Sequence, residues 1–312
     1  MFDITAIGEI LIDLTQSSIN EQGIPLFTAN PGGAPANLAV AASRLGASAS
    51  FIGKVGADSF GNLLRQTLIN NNVDVAGLST DTSLPTTLAV VSLDDSGERS
   101  FSFYRNPSAD INLLPEDISS EQLTSTRFLH FGSVSLTTEP ARSTTLSAVT
   151  TAKQAGAIIS YDPNYRARLW PDEKTAIQKM AEPLPLADIL KLSDEELPLL
   201  TGTSDLEEGT AKLAEKGIKM ILITLGANGV FYRFCNKTGH VAGVPCKVGD
   251  TNGAGDTFFG ATLAQLVKYS SLDEISISDL EQVLAFSNKA ASITTSRHGA
   301  IPAMPTYNEV FC

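Results

Sequence analysis

Short apolar runs of strand character alternate with helix-patterned stretches along this chain, and few folds accommodate that alternation. The strand-like runs cover residues 4–7, 49–52, 128–131, 157–161, 189–192 and 220–225. Between them, apolar residues recur at helical spacing over 37–45, where Gly46 supplies the stop, and over 60–70, 140–155, 175–181 and 208–216. Strands that alternate with helices predict an α/β fold with a mostly parallel central sheet and helices on both faces. The 312 residues are enough for one large core, or for one core with an appendage. There is no repeat, low-complexity tract or long linker, so a single domain over 1–312 is expected.

One segment breaks the alternation. Residues 87–93 are β-rich, 94–97 form an Asp-Asp-Ser-Gly turn cluster, and 98–104 alternate strictly, with Phe101 and Phe103 on one side. This reads as an antiparallel hairpin. Residues 12–27 also lack a helical period and would add strands. Two placements are open from the residues alone: an edge hairpin of the main sheet, or a small separate sheet.

Composition narrows the function classes. A hydrophobic content of 43% with mixed charges suits a globular enzyme. No apolar run reaches membrane-spanning length. A net charge of −12 argues against nucleic-acid and anionic-membrane partners. Anionic ligands would then need local arginines, backbone N–H groups or a metal. Cys235, Cys246 and Cys312 form no metal or redox spacing, which suits reduced thiols in a cytoplasmic protein. The opening Met1-Phe2-Asp3-Ile4 carries no basic stretch, so no signal peptide is expected.

The densest chemical signal is the run Asp250-Thr251-Asn252-Gly253-Ala254-Gly255-Asp256, directly before a helical pattern. Small residues at a helix N-terminus leave N–H groups bare for an anion. A carboxylate in that first turn can take a proton from an attacking hydroxyl. Together these are the parts of phosphoryl transfer, although an Asp- and Gly-rich loop with a helix cap has the same look. A second stretch, PGGAPANLAVAASRLGASASFIGKVGADSFG (31–61), leads a Gly-Gly pair into Asn37 and a small-residue helix.

With both stretches, about 220 residues apart, the chain resembles the ribokinase-like (pfkB-type) carbohydrate kinases from Gly8-Glu9 to Gly299-Ala300-Ile301-Pro302. Within that family FYRNPSAD (103–110), SYDPNYRARLWP (160–171) and KLSDEELPLLTG (191–202) are similar to fructokinases. The resemblance implies a ribokinase-like fold with a small β-sheet lid from about 12–30 and 86–105, a face through which relatives often form homodimers. It implies transfer of the ATP γ-phosphoryl to the 6-hydroxyl of D-fructose. Asp256 would be the base, Gly253, Ala254 and Gly255 the anion hole, and Arg166 the cation that neutralises the transferred group.

An uncharged sugar needs short polar groups on rigid elements. Asp13 can accept from two adjacent hydroxyls, Gly32 and Gly33 allow close backbone approach, and Asn37 can donate and accept at a helix start. The resemblance makes these four the sugar set; a strand-end Asp, a turn and an ordinary N-cap are the alternatives. Arg105, after the hairpin, can donate to a sugar or sit in a surface ion pair. Asp162-Pro163-Asn164 follows a buried-looking strand, where open parallel sheets carry their sites, and the resemblance assigns Asn164 to the substrates.

For the nucleotide, the resemblance implies contacts from Ser193, Thr224, Gly226, Gly229, Gly253, Gly255 and Asn288. A helix Asn with local bonds is the rival reading of Asn288. Relatives often carry Asn-x-x-Glu where this chain has Ser193 and Glu196, with the Glu linked to Mg2+ through water. Asp250, Asn252, Thr294, Arg297 and Gly299 would offer oxygens to K+, although Ala303 replaces a usual hydroxyl. His130, His240 and His298 share no ligand spacing and read as structural.

Rival readings are a 2-keto-3-deoxygluconate kinase or a ribokinase, and, from another class, an inactive sugar-binding homologue. A sugar acid would need an arginine cluster for its carboxylate. An adenosine-type nucleoside kinase fits the 104–107 and 170–171 context poorly. An inactive homologue would be expected to have lost the Gly-Ala-Gly-Asp set, which is intact.

Overall fold

The computed structural model describes residues 1–93 and 99–311. In chain order the strands are β1 (Phe2–Ile7), β2 (Leu11–Ile19), β3 (Pro25–Gly32), β4 (Ala49–Gly56), β5 (Val73–Asp81), β6 (Leu88–Leu93) and β7 (Arg99–Tyr104). They continue with β8 (Thr126–Gly132), β9 (Ile158–Asp162), β10 (Ile189–Ser193), β11 (Met220–Thr224), β12 (Val230–Phe234) and β13 (Lys237–Val241). The helices are α1 (Ala34–Arg44), α2 (Ser59–Asn70), α3 (Ser120–Thr124), α4 (Ala141–Gln154), α5 (Glu173–Ala181), α6 (Leu197–Thr201), α7 (Leu206–Ala214), α8 (Ala254–Leu266), α9 (Ile277–Thr295) and α10 (Tyr307–Phe311).

Nine strands form one sheet in the order β13-β12-β11-β10-β9-β8-β1-β4-β5. From β11 to β5 every pairing is parallel, and β12 and β13 extend that sheet as an antiparallel hairpin. Alternation along each buried strand sorts its side chains to two faces. On β11, Ile221 and Ile223 join the core under α4, α5 and α7, whereas Met220 and Leu222 join the core under α8 and α9. Among the described residues no helix is long and apolar enough to cross a membrane.

The second sheet has the order β3-β2-β6-β7 and is separate from the first. The β6–β7 pair is antiparallel, as the alternation predicts, and it lies outside the main sheet rather than on its edge. The turn cluster at 94–97 lies outside the described residues, as does Cys312.

The boundaries differ from expectation where local pattern competes with packing. The first helix begins at Ala34 rather than Asn37, so Asn37 is inside it and Gly33 is its N-cap residue. The sequence pattern does not mark β5, β12 and β13 as strands. β5 and β13 are the two edges of the sheet, and their half-polar sequences VDVAGLSTD and KTGHV lack the apolar run of a central strand.

α1 and α8 pack against each other on one face of the sheet, and Gly260 lies directly against α1. A Cβ there would lie 2.8 Å from the Ala41 Cβ and 2.8 Å from the Leu38 carbonyl oxygen. Gly260→Val is expected to lower the unfolding free energy by about 1–3 kcal/mol through overpacking, measured by chemical denaturation. An unchanged midpoint and slope would show that this contact does not hold the helices together.

Candidate active site

The carboxyl ends of β1, β8, β9 and β10 open onto one edge of the sheet, where crevices of parallel α/β sheets form. A cavity of about 640 Å³ lies there, walled by these strand ends, the small sheet and the N-terminus of α8. Of the residues singled out in the sequence, Asp13, Gly33, Asn37, Arg105, Asn164, Arg166, Asn252, Gly253, Gly255 and Asp256 line it.

Asp256 is at the third position of α8 and is buried, with 9% of its surface exposed. Its two oxygens accept from two amides: Asn37 Nδ2 reaches Oδ2 at 2.8 Å, and Asn164 Nδ2 reaches Oδ1 at 3.4 Å. Asn37 is therefore not a cap; its amide spans from α1 to the carboxylate. Burial pushes the Asp256 pKa above the ordinary carboxylate value, opposed by the Asn37 hydrogen bond; nearby Asp162 adds to the rise, and Lys191 and Arg166 oppose it. A raised pKa moves a general base towards its working range.

Gly253 caps α8 in the left-handed conformation, with φ 75°. The Ala254 N–H donates to the Thr251 carbonyl at 3.3 Å, so it is engaged within the turn. Thr257 N–H donates to the Gly253 carbonyl at 2.8 Å, which closes the first helical turn. Gly255 and Asp256 hold helix positions that have no intrahelical acceptor. Their N–H groups are the ones this helix start presents to an anion.

On the small-sheet side of the cavity, burial raises the Asp13 pKa to about 6, with an Asn252 hydrogen bond and the Arg166 charge opposing the rise. A Cβ at Gly32 would meet Asp13 Oδ2 at 2.5 Å, so a side chain there would displace that carboxylate. Gly33 has φ 107°, and a Cβ there would sit 2.6 Å from the Glu9 carbonyl oxygen. Arg105 is not free to reorient. Its Nε donates to Asp110 Oδ2 at 2.7 Å, Nη1 to Thr137 Oγ1 at 2.6 Å and Nη2 to the Val134 carbonyl at 3.0 Å. Arg166 is exposed, and its Nη1 donates to the carbonyls of Tyr165 (3.1 Å) and Asn164 (3.4 Å).

A second cavity of about 370 Å³ adjoins the first and shares Asn164, Arg166, Lys191 and Glu195 with it. Ser193 and Glu196 line this second space. Glu196 accepts from Tyr165 N–H at 2.6 Å and from Ser193 N–H at 2.8 Å, while its own N–H donates to Ser193 Oγ at 3.2 Å. The pair thus fastens the β9 loop to the β10 loop. Among the described residues no group of three or more His, Cys, Asp or Glu could cage a metal ion. One fixed carboxylate and a hydroxyl beside open space fit a cation that keeps its waters, as Mg2+ does.

Thr224 and Gly226 sit at the exit of β11; the Thr224 hydroxyl donates to the Leu192 carbonyl at 3.2 Å. Gly229 is packed against the end of β13. Asn288 donates to the carbonyls of Val241 at 3.1 Å and Ala242 at 3.0 Å, so its amide hydrogens serve local bonds. The segments around Asp250 and Gly299 converge: Asp250 Oδ1 accepts from Asn252 N–H at 2.9 Å and Oδ2 from Gly299 N–H at 3.2 Å. The Thr294 hydroxyl turns to Thr257 Oγ1 at 3.0 Å, leaving its carbonyl, which accepts from Arg297 N–H at 3.1 Å. Arg297 itself pairs with Glu309.

A pfkB family carbohydrate kinase profile matches residues 1–307. The chain belongs to the pfkB family of carbohydrate kinases. It is 44% identical to probable fructokinase-2 of Arabidopsis thaliana over 97% of this chain and 93% of that protein. The structure of Xylella fastidiosa fructokinase with bound ATP superposes with a TM-score of 0.93 at 32% identity, over 100% of this chain and 98% of that one. A double mutant of Vibrio cholerae O395 fructokinase, in a fructose-, ADP- and potassium-bound form, superposes at 0.89 with 34% identity, over 99% and 97%. The ribokinase-like fold expected from the sequence is the fold of this kinase.

Lys191 and Glu9 line the cavity although the sequence assigns them no role in the site. The visible signal for Lys191 is a lysine inside the apolar strand Ile189–Ser193. Glu9 sits just past β1, is 4% exposed, and accepts from Ala34 N–H at 3.2 Å through Oε1, while its Oε2 has no partner. It stands in for the absent side-chain cap of α1. Its signal was an acidic residue at a strand's carboxyl end.

Burial raises the Glu9 pKa to about 7, with hydrogen bonds to its own backbone and to Ala34, and the Arg105 charge, opposing the rise. A folded pKa above the unfolded value of 4.5 means that the folded state holds the proton more tightly. The stability contribution is then present at low pH and is lost as pH rises towards 7. Glu9→Gln removes this dependence. Its stability relative to wild type should climb between pH 4.5 and 7 by an amount on the order of 3 kcal/mol and then level off, measured by denaturant unfolding across pH. A pH-independent difference would contradict this.

Proposed function

We propose that this protein is an ATP-dependent fructokinase that phosphorylates the 6-hydroxyl of D-fructose. The observation that carries the chemistry is Asp256: a buried carboxylate of raised pKa, held by two amides, at the start of a helix that presents bare N–H groups to the same cavity. The fructokinase relatives, one of them bound to fructose and ADP, support the substrates.

In the reaction, Asp13, the Gly32–Gly33 turn and Asn37 hold the sugar. Asn37 also turns the Asp256 carboxylate towards it. The 6-oxygen forms a bond to the γ-phosphorus, the bond from that phosphorus to the bridging oxygen of ADP breaks, and the sugar proton passes to Asp256. The helix-start N–H groups and Arg166 stabilise the charge on the moving group. Glu196, with Ser193, would hold Mg2+ through water, and that ion would supply neutralisation of the nucleotide phosphates. The Asp250 loop and the carbonyls of Thr294, Arg297 and Gly299 would hold K+ beside the helix start. The Thr224, Gly226 and Gly229 loop would lie under the nucleotide, with Asn288 near the adenine through its remaining oxygen.

The arrangement disfavours a sugar acid such as 2-keto-3-deoxygluconate. Arg105 is committed to Asp110, Thr137 and Val134, while Glu9, Asp13 and Asp256 all face the cavity. A substrate carboxylate would meet four acids, counting Glu195, and of the two cavity arginines only Arg166 is not bound to another side chain among the described residues. The small sheet exposes Ile19, Leu26, Phe27 and Tyr104, a surface suited to a homodimer in which it acts as a lid. A reducing cytoplasm suits its free thiols Cys235 and Cys246.

Asp256→Asn keeps the Asn37 geometry and removes the base. It should lower kcat by about 10²–10⁴-fold and leave fructose KM within a few-fold, by coupled ADP release; near-normal turnover would refute the assignment. The same assay across fructose, glucose, ribose and 2-keto-3-deoxygluconate should rank fructose first. Faster turnover of another sugar would move the protein to a sister activity.

A further inference from the structure

The Lys191 ammonium is the least expected charge in the site. It belongs to a strand whose neighbours Leu190 and Leu192 enter one core, so alternation sends it to the opposite face, towards α8. It is 6% exposed, and its Nζ lies 2.8 Å from Asp162 Oδ2, itself 3% exposed. A Cβ added at Gly255 would lie 3.1 Å from that Nζ. The ammonium therefore touches the first turn of α8, beside the N–H groups that face the cavity. Lys191 is also one of the few residues that line both cavities.

A purely structural ion pair explains this placement poorly. Burying two charges is seldom more stable than packing apolar side chains of similar size. An ammonium has three donors, and one goes to Asp162. Asp162 in turn is fastened by Asn164 N–H, which donates to its Oδ1 at 3.1 Å. The charges facing Lys191 from the surrounding elements are Asp162 and Glu196 on the β9 and β10 side and Asp256 on α8. Burial works against the charge, but these carboxylates outweigh it and keep the ammonium protonated, and His130 stays neutral, its pKa lowered to about 3 by burial and by the Lys191 charge.

We propose that Lys191 is a catalytic residue that donates hydrogen bonds to the phosphoryl group as it passes between the two cavities. Asp162 is its positioning partner. The inference rests on the kinase reaction proposed above. The acceptors are the non-bridging oxygens of the γ-phosphoryl, whose bond to the ADP oxygen breaks as the bond to the sugar oxygen forms. The proton from the sugar still goes to Asp256, and Lys191 keeps its own protons throughout. A buried cation held in place by Asp162 stabilises charge in transit with little reorganisation.

The test compares wild type, Lys191→Met and the double variant Lys191→Met with Asp162→Asn, on whichever sugar the wild type turns over fastest. That choice separates failure of this inference from failure of the fructose assignment. Lys191→Met should lose about 10²–10³-fold in kcat with sugar KM within about threefold. The double variant has no unpaired buried charge and should unfold near the wild-type midpoint yet stay equally slow. Recovery to within tenfold of wild type would mean that Lys191 only neutralises Asp162, and would overturn the proposal. In wild-type protein, the 15N resonance of Lys191 Nζ should shift when ADP, aluminium fluoride and sugar are added together. An unmoved signal would overturn it even if neither variant folds.

Discussion

The Asp256 carboxylate accepts hydrogen bonds from Asn37 and Asn164, which lie 219 and 92 positions away in the chain. Three elements meet at those two oxygens: α1, the loop after β9 and the first turn of α8. The contact between α1 and α8 sets the shorter bond, and it exists because Gly260 lets the helices touch at Ala41 and Leu38. The parallel pairing of β8 and β9, with Gly132 opposite Asp162, sets the height of the Asn164 loop. A buried carboxylate without donors would cost more free energy than this fold could easily spare. The two amides make its burial tolerable, and burial keeps it basic enough to accept a proton.

Around that point, the site is an acidic cavity for reactants of very different charge. Glu9 and Asp13 are raised to about 7 and about 6 by burial, and Asp256 is raised by the same cause. Such a wall suits the hydroxyls of a neutral sugar and opposes anions. In the reaction proposed here the phosphoryl group lies at the opposite side, where the start of α8, Lys191 and Arg166 supply positive charge. Arg105 lines the cavity on the small-sheet side. Its three hydrogen bonds tie the end of the small sheet to Asp110 and to the segment after β8. Those bonds make it a brace for that wall.

How legible each part was in the chain depended on how far its determinants lay. β9, β10 and β11 are central and apolar on both faces, so their sequences mark them directly. β5 and β13 are edge strands with polar residues, and nothing local separates them from loops. The Gly253-to-Asp256 run identified its helix start correctly, but the engagement of Ala254 with Thr251 depends on the closure of that turn. Asn37 shows the same limit. A polar residue near a helix start suggests a cap, and only the approach of α8 reveals its partner. Lys191 and Glu9 escaped notice because their meaning lies in what surrounds them.

By itself, the sequence determined the alternation of the central strands with helices, the bare helix start with its carboxylate, and the membership of the chain in a kinase family. These are properties of adjacent residues, governed by backbone conformation, periodicity and short spacing. The tertiary structure alone decided which donors reach Asp256, which N–H groups remain open, that Arg105 is committed, and that Lys191 stands between two cavities. Those are distances between residues far apart in the chain. They are set by how closely α1 and α8 can pack on a parallel sheet, and no local pattern encodes that separation.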